Sequence, residues 1–335
     1  MNASSTGGTE TASDLLLFHH WDTDGIASAA LILESLENRN VNVETFTPSI
    51  GNYLIDRKDR ERIRRIDPDE VIVVDMALPE DSVEFLKEFG EVQIFDHHLQ
   101  DKHDVGLHYN PIIEGASPEE YPSATWVISE FLDRDMDFLS ILGAFGDREE
   151  KLKDNDLVME TVEEVLSSID SEFEELLNCA ESIDTLYKVG DREAVAKMPF
   201  FLKDVKEPAK VLGREDLQEN KRNLKQAIEE EVEGSLEEIK EDVLYRDMSS
   251  PYNIISTVTR RLAWSREDKK VVVSNSEYQS GKTQIYIRGP LENSETVIEE
   301  MKGRGYSAGG KSDVVGMVVP EEDEEEVLSD IFDML

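Results

Sequence analysis

Histidine and aspartate side chains accumulate where short apolar runs end in the first half of the chain. All six histidines lie between positions 19 and 108. Imidazole nitrogens mixed with carboxylate oxygens suit Mn²⁺ or Mg²⁺, whereas a structural Zn²⁺ site would call for cysteines. The pattern therefore predicts a metal site. Its candidate ligands are His20, Asp22 and Asp24 on one loop, Asp75, one or more of residues 96–98, and Asp147.

The number of candidate ligands favours two metal ions over one. Six ligands, with at least one carboxylate able to bridge, match the ion pair about 3.5–4 Å apart that phosphatases and nucleases use to activate water. Each residue alone also has an ordinary structural explanation, because aspartates commonly cap helices and histidines are commonly satisfied core or surface groups. His19, His103 and His108 keep that ordinary interpretation, since their neighbours supply no alternating ligands.

The segments that must position these residues alternate between strand-like and helical patterns. Strand-like runs cover residues 15–18, 41–46, 71–74 and 92–95, and helical patterns cover 26–36, 56–65 and 82–89. This alternation predicts an α/β fold with a doubly wound parallel sheet, in which ligands bind at the carboxyl ends of the strands. We therefore expect the candidate ligands to meet at one edge of the sheet.

The remainder of the chain predicts further helices and then a second, smaller α/β domain. Helical patterns cover residues 124–132, 138–145, 157–205 and 214–244, and the last is a long solvated stretch. Beyond residue 249 come helices at 254–263 and 294–301 and strands at 270–274, 283–288 and 314–319. We therefore divide the chain into a disordered N-terminus (1–13), a metal-binding domain (14–205), a connector helix (206–248) and a smaller α/β domain (249–335).

The charge of the chain is its most unusual bulk property. The 335 residues include 75 acidic and 35 basic side chains, which gives a formal net charge of −40 at pH 7. Acidic residues are spread along the whole chain, which favours adaptation to a concentrated-salt cytoplasm over an ordinary acidic surface. The single cysteine, Cys179, excludes an internal disulfide. No run of about 18 apolar residues is present, so we expect no membrane span, and the polar first 13 residues predict no secretion signal.

Four short motifs, in their order and spacing, resemble those of the DHH phosphoesterase superfamily. They are residues 20–25 (HWDTDG), 73–75 (VVD), 96–98 (DHH) and 143–147 (GAFGD). The superfamily contains RecJ-like exonucleases, oligoribonucleases, cyclic dinucleotide phosphodiesterases and family II inorganic pyrophosphatases. The resemblance covers nearly the whole chain, and it implies a DHH domain joined by the connector helix to a DHHA1-like domain.

The resemblance also implies a role for each candidate ligand. One metal ion would be held by His20, Asp22 and Asp75. The other would be held by Asp24, Asp75, His97 and Asp147, so that Asp75 bridges the two Mn²⁺ or Mg²⁺ ions. His98 would contact the scissile phosphate, and Asp96 would orient the histidine pair.

A glycine-rich stretch near the C-terminus resembles the signature of the DHHA1 domain. Residues 303–311 (GRGYSAGGK) precede a strand pattern, and their glycines would let backbone amides approach a phosphate closely. Arg288, at the end of another strand pattern, matches the substrate-binding arginine of that domain. The predicted substrate-binding residues are Arg288, Gly309, Gly310 and Lys311. Two positions depart from the family, which usually has histidine in place of Lys311 and glycine in place of Ala308.

Three functions remain open from the sequence. The first is a RecJ-like exonuclease acting on single-stranded DNA or RNA. The second is a hydrolase of short oligoribonucleotides or cyclic dinucleotides, which the lack of an aromatic-rich basic groove supports. The third, of a different class, is a non-catalytic replication or repair scaffold that binds partner proteins through the acidic connector helix.

The acidic surface leads to a prediction about salt. A polyanionic protein repels a polyanionic substrate, and this repulsion relaxes when the screening length falls to about 3 Å at 1 M salt. We therefore expect the hydrolytic rate to rise with KCl, opposite to the loss of affinity that basic nucleic-acid binders suffer. Steady-state rates measured from low to molar KCl check this, and a monotonic fall would contradict it.

Overall fold

The structure of the protein, a computed structural model, describes residues 13–335. The N-terminal stretch expected to be disordered lies outside these residues, except for Ser13, which begins the first strand. The described chain forms two compact units, one of residues 13–187 and 191–218 and the other of residues 188–190 and 219–335. No helix within the described range combines the length and apolar character needed to cross a membrane.

A five-stranded parallel sheet organises the first unit. Its strands are β1 (Ser13–His19), β2 (Val41–Phe46), β3 (Glu70–Val74), β4 (Glu91–Phe95) and β5 (Leu107–Tyr109). They lie in the order β2-β1-β3-β4-β5, and each neighbouring pair runs parallel. The predicted parallel α/β fold is confirmed, with the addition of β5, which is too short to produce a periodic pattern in the sequence.

Helices cover both faces of this sheet. They are α1 (Thr23–Ser35), α2 (Arg57–Ile66), α3 (Glu80–Leu86), α4 (Ala124–Phe131), α5 (Phe138–Arg148), α6 (Asp156–Ser168), α7 (Phe173–Lys188), α8 (Arg192–Leu202) and α9 (Pro208–Leu212). Leu16 and Phe18 of β1 belong to one buried cluster with Ile63 of α2 and Val83 of α3. The alternate residue Leu17 is also buried and points to the opposite face, because successive strand side chains alternate.

The strand order changes direction between β1 and β3. From β1 the chain first builds outward to β2 and then returns to place β3 on the other side of β1. Loops at the carboxyl ends of two such strands diverge, which leaves a crevice where open α/β sheets bind ligands. The fold therefore directs the residues that follow β1 and β3 into one crevice.

The second unit contains a six-stranded mixed sheet. Its strands are β6 (Glu237–Lys240), β7 (Val243–Met248), β8 (Lys270–Gln279), β9 (Lys282–Arg288), β10 (Ser307–Lys311) and β11 (Val314–Pro320), in the order β10-β11-β9-β8-β7-β6. Only β7 and β8 are parallel neighbours. The helices are α10 (Glu215–Glu233), which begins in the first unit, α11 (Ile255–Trp264), α12 (Ser294–Gly303) and α13 (Glu324–Met334). Residues of α12 and α13 pack in one cluster with the sheet, and residues of α10 and α11 pack in another.

Two predictions for the second half of the chain are wrong. The connector helix expected to continue to residue 244 ends at Glu233, before Gly234, a residue type that costs about 1 kcal/mol in a helix interior. The following residues form β6 and β7, because Val243 gains burial in the core of the second unit. Within the stretch expected to be a glycine-rich loop (303–311), residues 307–311 instead form the edge strand β10, paired with β11.

Candidate metal centre

The candidate ligands from the sheet lie at its carboxyl edge. His20 directly follows β1, and Asp75 directly follows β3. His97 comes two residues after the end of β4. The remaining ligands come from helix ends: Asp22 and Asp24 from the start of α1, and Asp147 from the last turn of α5.

One group of candidate ligands consists of His20, Asp22 and Asp75. His20 Nδ1 lies 2.7 Å from Asp22 Oδ2 and 3.7 Å from Asp75 Oδ2. One ligand atom from each of the three residues lies within 4.8 Å of the others. These residues are therefore close enough to share one ion.

A second group consists of Asp24, His97 and Asp147. His97 Nε2 lies 3.0 Å from Asp147 Oδ2 and 3.7 Å from Asp24 Oδ2. The same nitrogen lies 3.5 Å from Asp75 Oδ1, and Asp75 also forms a third close group with His97 and His98. Asp75 thus presents Oδ2 to the first group and Oδ1 to the second, which is the arrangement that a bridging carboxylate requires.

Asp75 adopts a backbone conformation that side-chain-bearing residues rarely use. Its φ angle is +57°, in the left-handed region, and its amide donates a hydrogen bond to the Phe95 carbonyl oxygen at 2.9 Å. Such a conformation costs on the order of 1–3 kcal/mol and persists where surrounding contacts enforce it. Here it turns the chain sharply at the end of β3 and directs the carboxylate toward the other ligands.

Asp24 is held by the N-terminus of α4, a contact that sequence reasoning missed. The backbone amides of Ala124 and Thr125 donate hydrogen bonds to Asp24 Oδ2 and Oδ1 at 2.6 and 3.0 Å. Ser123 caps this helix by accepting from the Trp126 amide. The sequence predicted a helix over residues 124–132, but it did not indicate which carboxylate the N-terminus of this helix would bind.

Thr23, which lies between Asp22 and Asp24, links the start of α1 to α7 through hydrogen bonds. Its hydroxyl donates to Asp184 Oδ1 at 2.7 Å, and its amide donates to the same oxygen at 3.0 Å. Asp22 serves as the N-cap of α1, because its Oδ1 accepts from the Gly25 amide at 3.1 Å. Asp22 therefore caps α1 through Oδ1, and its other oxygen, Oδ2, lies 2.7 Å from His20 Nδ1.

The electrostatics of the cluster favour a bound cation. Burial and then the charge of Asp147 raise the pKa of Asp24 to about 7. Burial and the charges of Asp24 and Asp22 raise the pKa of Asp75 well above its ordinary range. Burial lowers the pKa of His97, but the nearby Asp147 and Asp75 carboxylates outweigh burial and raise it well above 6.5. Without a cation, these buried carboxylates hold protons because they cannot all ionise together.

Several atoms that face this cluster make no well-aligned hydrogen bond within the described protein, although His20 Nδ1 and His97 Nε2 lie close to carboxylate oxygens. They are both ring nitrogens of His20, Asp75 Oδ1 and His97 Nε2. A buried polar atom without a hydrogen bond costs about 1–3 kcal/mol, so native proteins seldom retain several together. Imidazole nitrogens and carboxylate oxygens are suitable ligands for Mn²⁺ and Mg²⁺, so the residues present fit a divalent metal centre.

Asp96 and His98, predicted as catalytic residues, form a pair beside the cluster. His98 Nδ1 lies 2.8 Å from Asp96 Oδ1, and the His98 side chain is about half exposed. Asp96 is fully buried, and its other oxygen accepts from the Gln100 amide group. Burial raises the pKa of Asp96, but its contact with His98 prevails and lowers it. An ionised Asp96 thus fixes the orientation of His98.

Gly143 provides a test of how tightly the Asp24 carboxylate is confined. A Cβ atom at Gly143 would overlap Asp24 Oδ1 and the Thr125 hydroxyl. We expect Gly143→Ala to displace the carboxylate, to weaken Mn²⁺ binding and to lower the free energy of unfolding by about 1–3 kcal/mol. Calorimetric titration with Mn²⁺ and thermal denaturation measure the two effects.

A matched glycine supplies the control for this variant. A Cβ atom at Gly303, the last residue of α12, would meet no atom within 4 Å. We expect Gly303→Ala to leave Mn²⁺ affinity unchanged. Equal Mn²⁺ affinity in Gly143→Ala and the unmodified protein would show that Asp24 is not confined as described.

The three remaining histidines lie outside the close ligand groups. Burial lowers the pKa of His19 to about 4, which keeps its ring neutral. His103 Nδ1 lies 2.7 Å from Glu80 Oε2, and its Nε2 lies 3.1 Å from the Leu78 carbonyl oxygen. His108 Nδ1 accepts the His103 backbone amide at 3.0 Å. The structural roles expected for the three residues stay predictions.

The predicted substrate-binding residues of the second unit lie at one end of its sheet. Val314 of β11 pairs with Arg288 of β9 on one side and with Lys311 of β10 on the other. Arg288 also forms an ion pair with Asp313 at 3.1 Å. Gly310 allows a close approach of strands, because a Cβ atom there would overlap the Val314 carbonyl oxygen. Arg288 and Lys311 therefore lie in register on the two strands that flank β11.

Comparison with solved structures places the fold among known proteins. The chain is similar to a crystal structure of exonuclease RecJ bound to manganese, with 17% identity, a TM-score of 0.68, and coverage of 96% of this chain and 90% of the other. It is similar to RecJ from Thermus thermophilus in complex with Mn²⁺, with 17% identity and a TM-score of 0.67, covering 96% of this chain and 52% of that one.

A third structure has the same fold under a different description. It is the DHH domain of PF0399, described as a member of the s1p family of ribosomal proteins, with 16% identity and a TM-score of 0.60 over 96% of this chain and 86% of the other. At these identities the likeness establishes a shared fold. No curated protein matches the sequence.

The sequence also matches a known protein family over the part of the chain that contains the cluster. Residues 14–159 match the DHH family, N-terminal domain. This range includes all six candidate metal ligands as well as Asp96 and His98. The chain is therefore similar to the DHH family over residues 14–159, the range in which the four sequence motifs lie.

Proposed function

We propose that this protein is a metal-dependent phosphodiesterase that hydrolyses single-stranded nucleic acid in the manner of a RecJ-like exonuclease, with two Mn²⁺ or Mg²⁺ ions as cofactors. The observation that carries the proposal is the convergence of the six candidate ligands at the β1–β3 crevice, where several of their buried atoms make no hydrogen bond. The shared fold with manganese-bound exonuclease RecJ supports the same activity.

The residues of the cluster divide the work of holding the ions. His20, Asp22 and Asp75 would hold one, and Asp24, Asp75, His97 and Asp147 would hold the other, with Asp75 between them. A pair of divalent ions supplies an activated water and stabilises the charge that develops on the phosphate oxygens. The four aspartates offset the charge of two such ions, so further positive groups are needed for the substrate phosphate.

His98 is the group placed to contact the substrate phosphate. Its Nδ1 faces the Asp96 carboxylate at 2.8 Å, which leaves Nε2 for the substrate. Burial lowers the pKa of His98, but its contact with Asp96 prevails and raises it in the metal-free chain. Asp96 is a positioning residue: it orients His98 and does not itself contact the substrate. In the second unit, Arg288, Gly309, Gly310 and Lys311 remain the proposed substrate-binding residues.

A second candidate activity is the hydrolysis of short oligoribonucleotides or cyclic dinucleotides. The net charge of −40 favours it, because a strongly acidic protein gains little affinity from the many phosphates of a long strand. A role with replication or repair partners is compatible with either activity. The cytoplasm remains the predicted location.

One assay separates these candidates. The purified protein with Mn²⁺ is offered end-labelled DNA and RNA of graded length, and cyclic dinucleotides, at high KCl. We expect stepwise release of nucleotides from single strands and no cleavage of duplexes. Hydrolysis confined to the shortest substrates would select the second candidate, and no hydrolysis of any of them would refute the proposed function.

A further inference from the structure

An exposed tyrosine lies beside the metal cluster and belongs to none of its ligand groups. Tyr53, in the loop between β2 and α2, is 62% exposed. Its ring nevertheless lies against His20, with ring centroids 5.7 Å apart and ring planes 25° apart, and against Trp21 at 5.1 Å. Trp21 is buried and also contacts His20, at 4.1 Å. Tyr53 is therefore packed on one side and presents a large aromatic surface to solvent.

The loop that carries Tyr53 is anchored on both sides of the ring. Before it, the Ser49 amide donates to Asp59 Oδ2 at 3.2 Å. After it, Ile55 is fully buried, and its amide donates to the Ser82 hydroxyl at 3.1 Å. A ring held by such anchors loses little conformational entropy when a ligand binds to it. The aromatic surface of Tyr53 is therefore preorganised for ligand binding.

The position of the ring defines what would bind to it. His20 is one of the candidate ligands, and its Nδ1 lies 2.7 Å from Asp22 Oδ2. The Tyr53 ring that stacks on His20 therefore lies at the border of the ligand cluster. A second exposed apolar residue, Leu99, which is 85% exposed, directly follows His98 in the chain. A phosphate at the cluster would therefore have apolar surface beside it. The part of a nucleotide that matches such surface is the flat face of its base.

Resting on the function proposed above, we propose that Tyr53 is a stacking platform for an unpaired base adjacent to the phosphate that is cleaved. Aromatic side chains bind bases of any identity in this way, because every base has a π-face. A base inside a duplex already has both faces covered by its neighbours. The platform therefore selects nucleotides with a free base, and it favours them over duplexes and over phosphates without a nucleoside.

Dinucleotides test this proposal. One carries both bases, and two others each lack one base at an otherwise intact sugar. Alanine removal of a stacking aromatic weakens base binding by about 5- to 150-fold, so we expect Tyr53→Ala to lower kcat/KM by that factor on the dinucleotide with both bases. Tyr53→Phe and Tyr53→Trp retain the aromatic face and should stay close to the unmodified protein.

The abasic dinucleotides distinguish stacking from support of His20. On the one that lacks the stacked base, the unmodified protein and Tyr53→Ala should have equal kcat/KM. An equal loss of kcat/KM on all three dinucleotides would assign Tyr53 a structural role and overturn the proposal. No loss of kcat/KM on any of them would also overturn it. Leu157→Ala, on α6, removes an exposed apolar side chain of similar exposure (64%) and should change none of these values.

Binding measurements keep this proposal separate from the hydrolytic function. If the unmodified protein cleaves none of the dinucleotides, the proposed function fails, and equilibrium binding of the same three compounds with Mn²⁺ decides the stacking role. A base-dependent loss of affinity in Tyr53→Ala would then support the platform. Equal affinity of Tyr53→Ala and the unmodified protein for the dinucleotide with both bases would reject it.

Discussion

Replacing Asp75 with asparagine is expected to lower kcat by at least about 1000-fold, because bound metal contributes several kcal/mol to the transition state and each 1.36 kcal/mol is tenfold in rate. Asp75 faces both ligand groups, through Oδ2 and Oδ1. An amide would remove the charge that both ions need. Steady-state kinetics with a single-stranded substrate and saturating Mn²⁺ measure the loss.

The control for this variant is Asp67→Asn. Asp67 also has a left-handed backbone, with φ of +51°, but it is exposed after α2 and belongs to none of the close ligand groups. We expect Asp67→Asn to retain full activity. Full activity in Asp75→Asn would disprove the catalytic role of the cluster and favour the scaffold alternative.

The Asp75→Asn variant should also be at least as stable as the unmodified protein when both are metal-free. Burial and the neighbouring aspartates raise the pKa of Asp75, so ionising this carboxyl in the folded state costs free energy. Asparagine carries no charge and removes that cost. A thermal melt in EDTA separates this effect from loss of the fold, since a misfolded variant would melt earlier or without cooperativity.

Removal of the metal is expected to abolish hydrolysis and to lower Tm. An ion that binds only the folded state stabilises it by RT ln(1 + [L]/Kd), about 2.7 kcal/mol at 100 times Kd. The unmodified protein should therefore melt at a higher temperature with Mn²⁺ than with EDTA, and calorimetric titration should give two ions per chain. Asp75→Asn should lose most of this stabilisation.

The stability of the metal-free protein should depend on pH in a defined direction. The pKa of Asp24 is raised from 3.8 to about 7 in the folded chain. The folded state therefore binds a proton more tightly than the unfolded state, and stability falls as the pH rises from about 4 to about 7. Bound Mn²⁺ should remove this dependence because it replaces the proton. Melting with EDTA that does not vary between pH 5 and 8 would contradict a carboxylate cluster that needs a cation.

The sequence by itself determined the parallel sheet, its first four strands and the polar residues that follow those strands, among them His20, Asp75 and His97. This was readable because apolar strands such as residues 71–74 end at a polar residue, and parallel topology sends those ends to one side. Asp75 and His97 needed no knowledge of distant contacts to be selected as candidates.

Only the tertiary structure decided what surrounds those residues. The α4 amides that hold Asp24 are about 100 residues away along the chain, and no local pattern records such a contact. Tyr53 meets His20 for the same reason. The connector was mispredicted beyond Glu233 because charged positions at helical spacing also suit an edge hairpin, and the choice depended on burial of Val243 in a sheet whose other strands lie further along the chain. Local sequence records which groups are available, and long-range packing decides which of them meet.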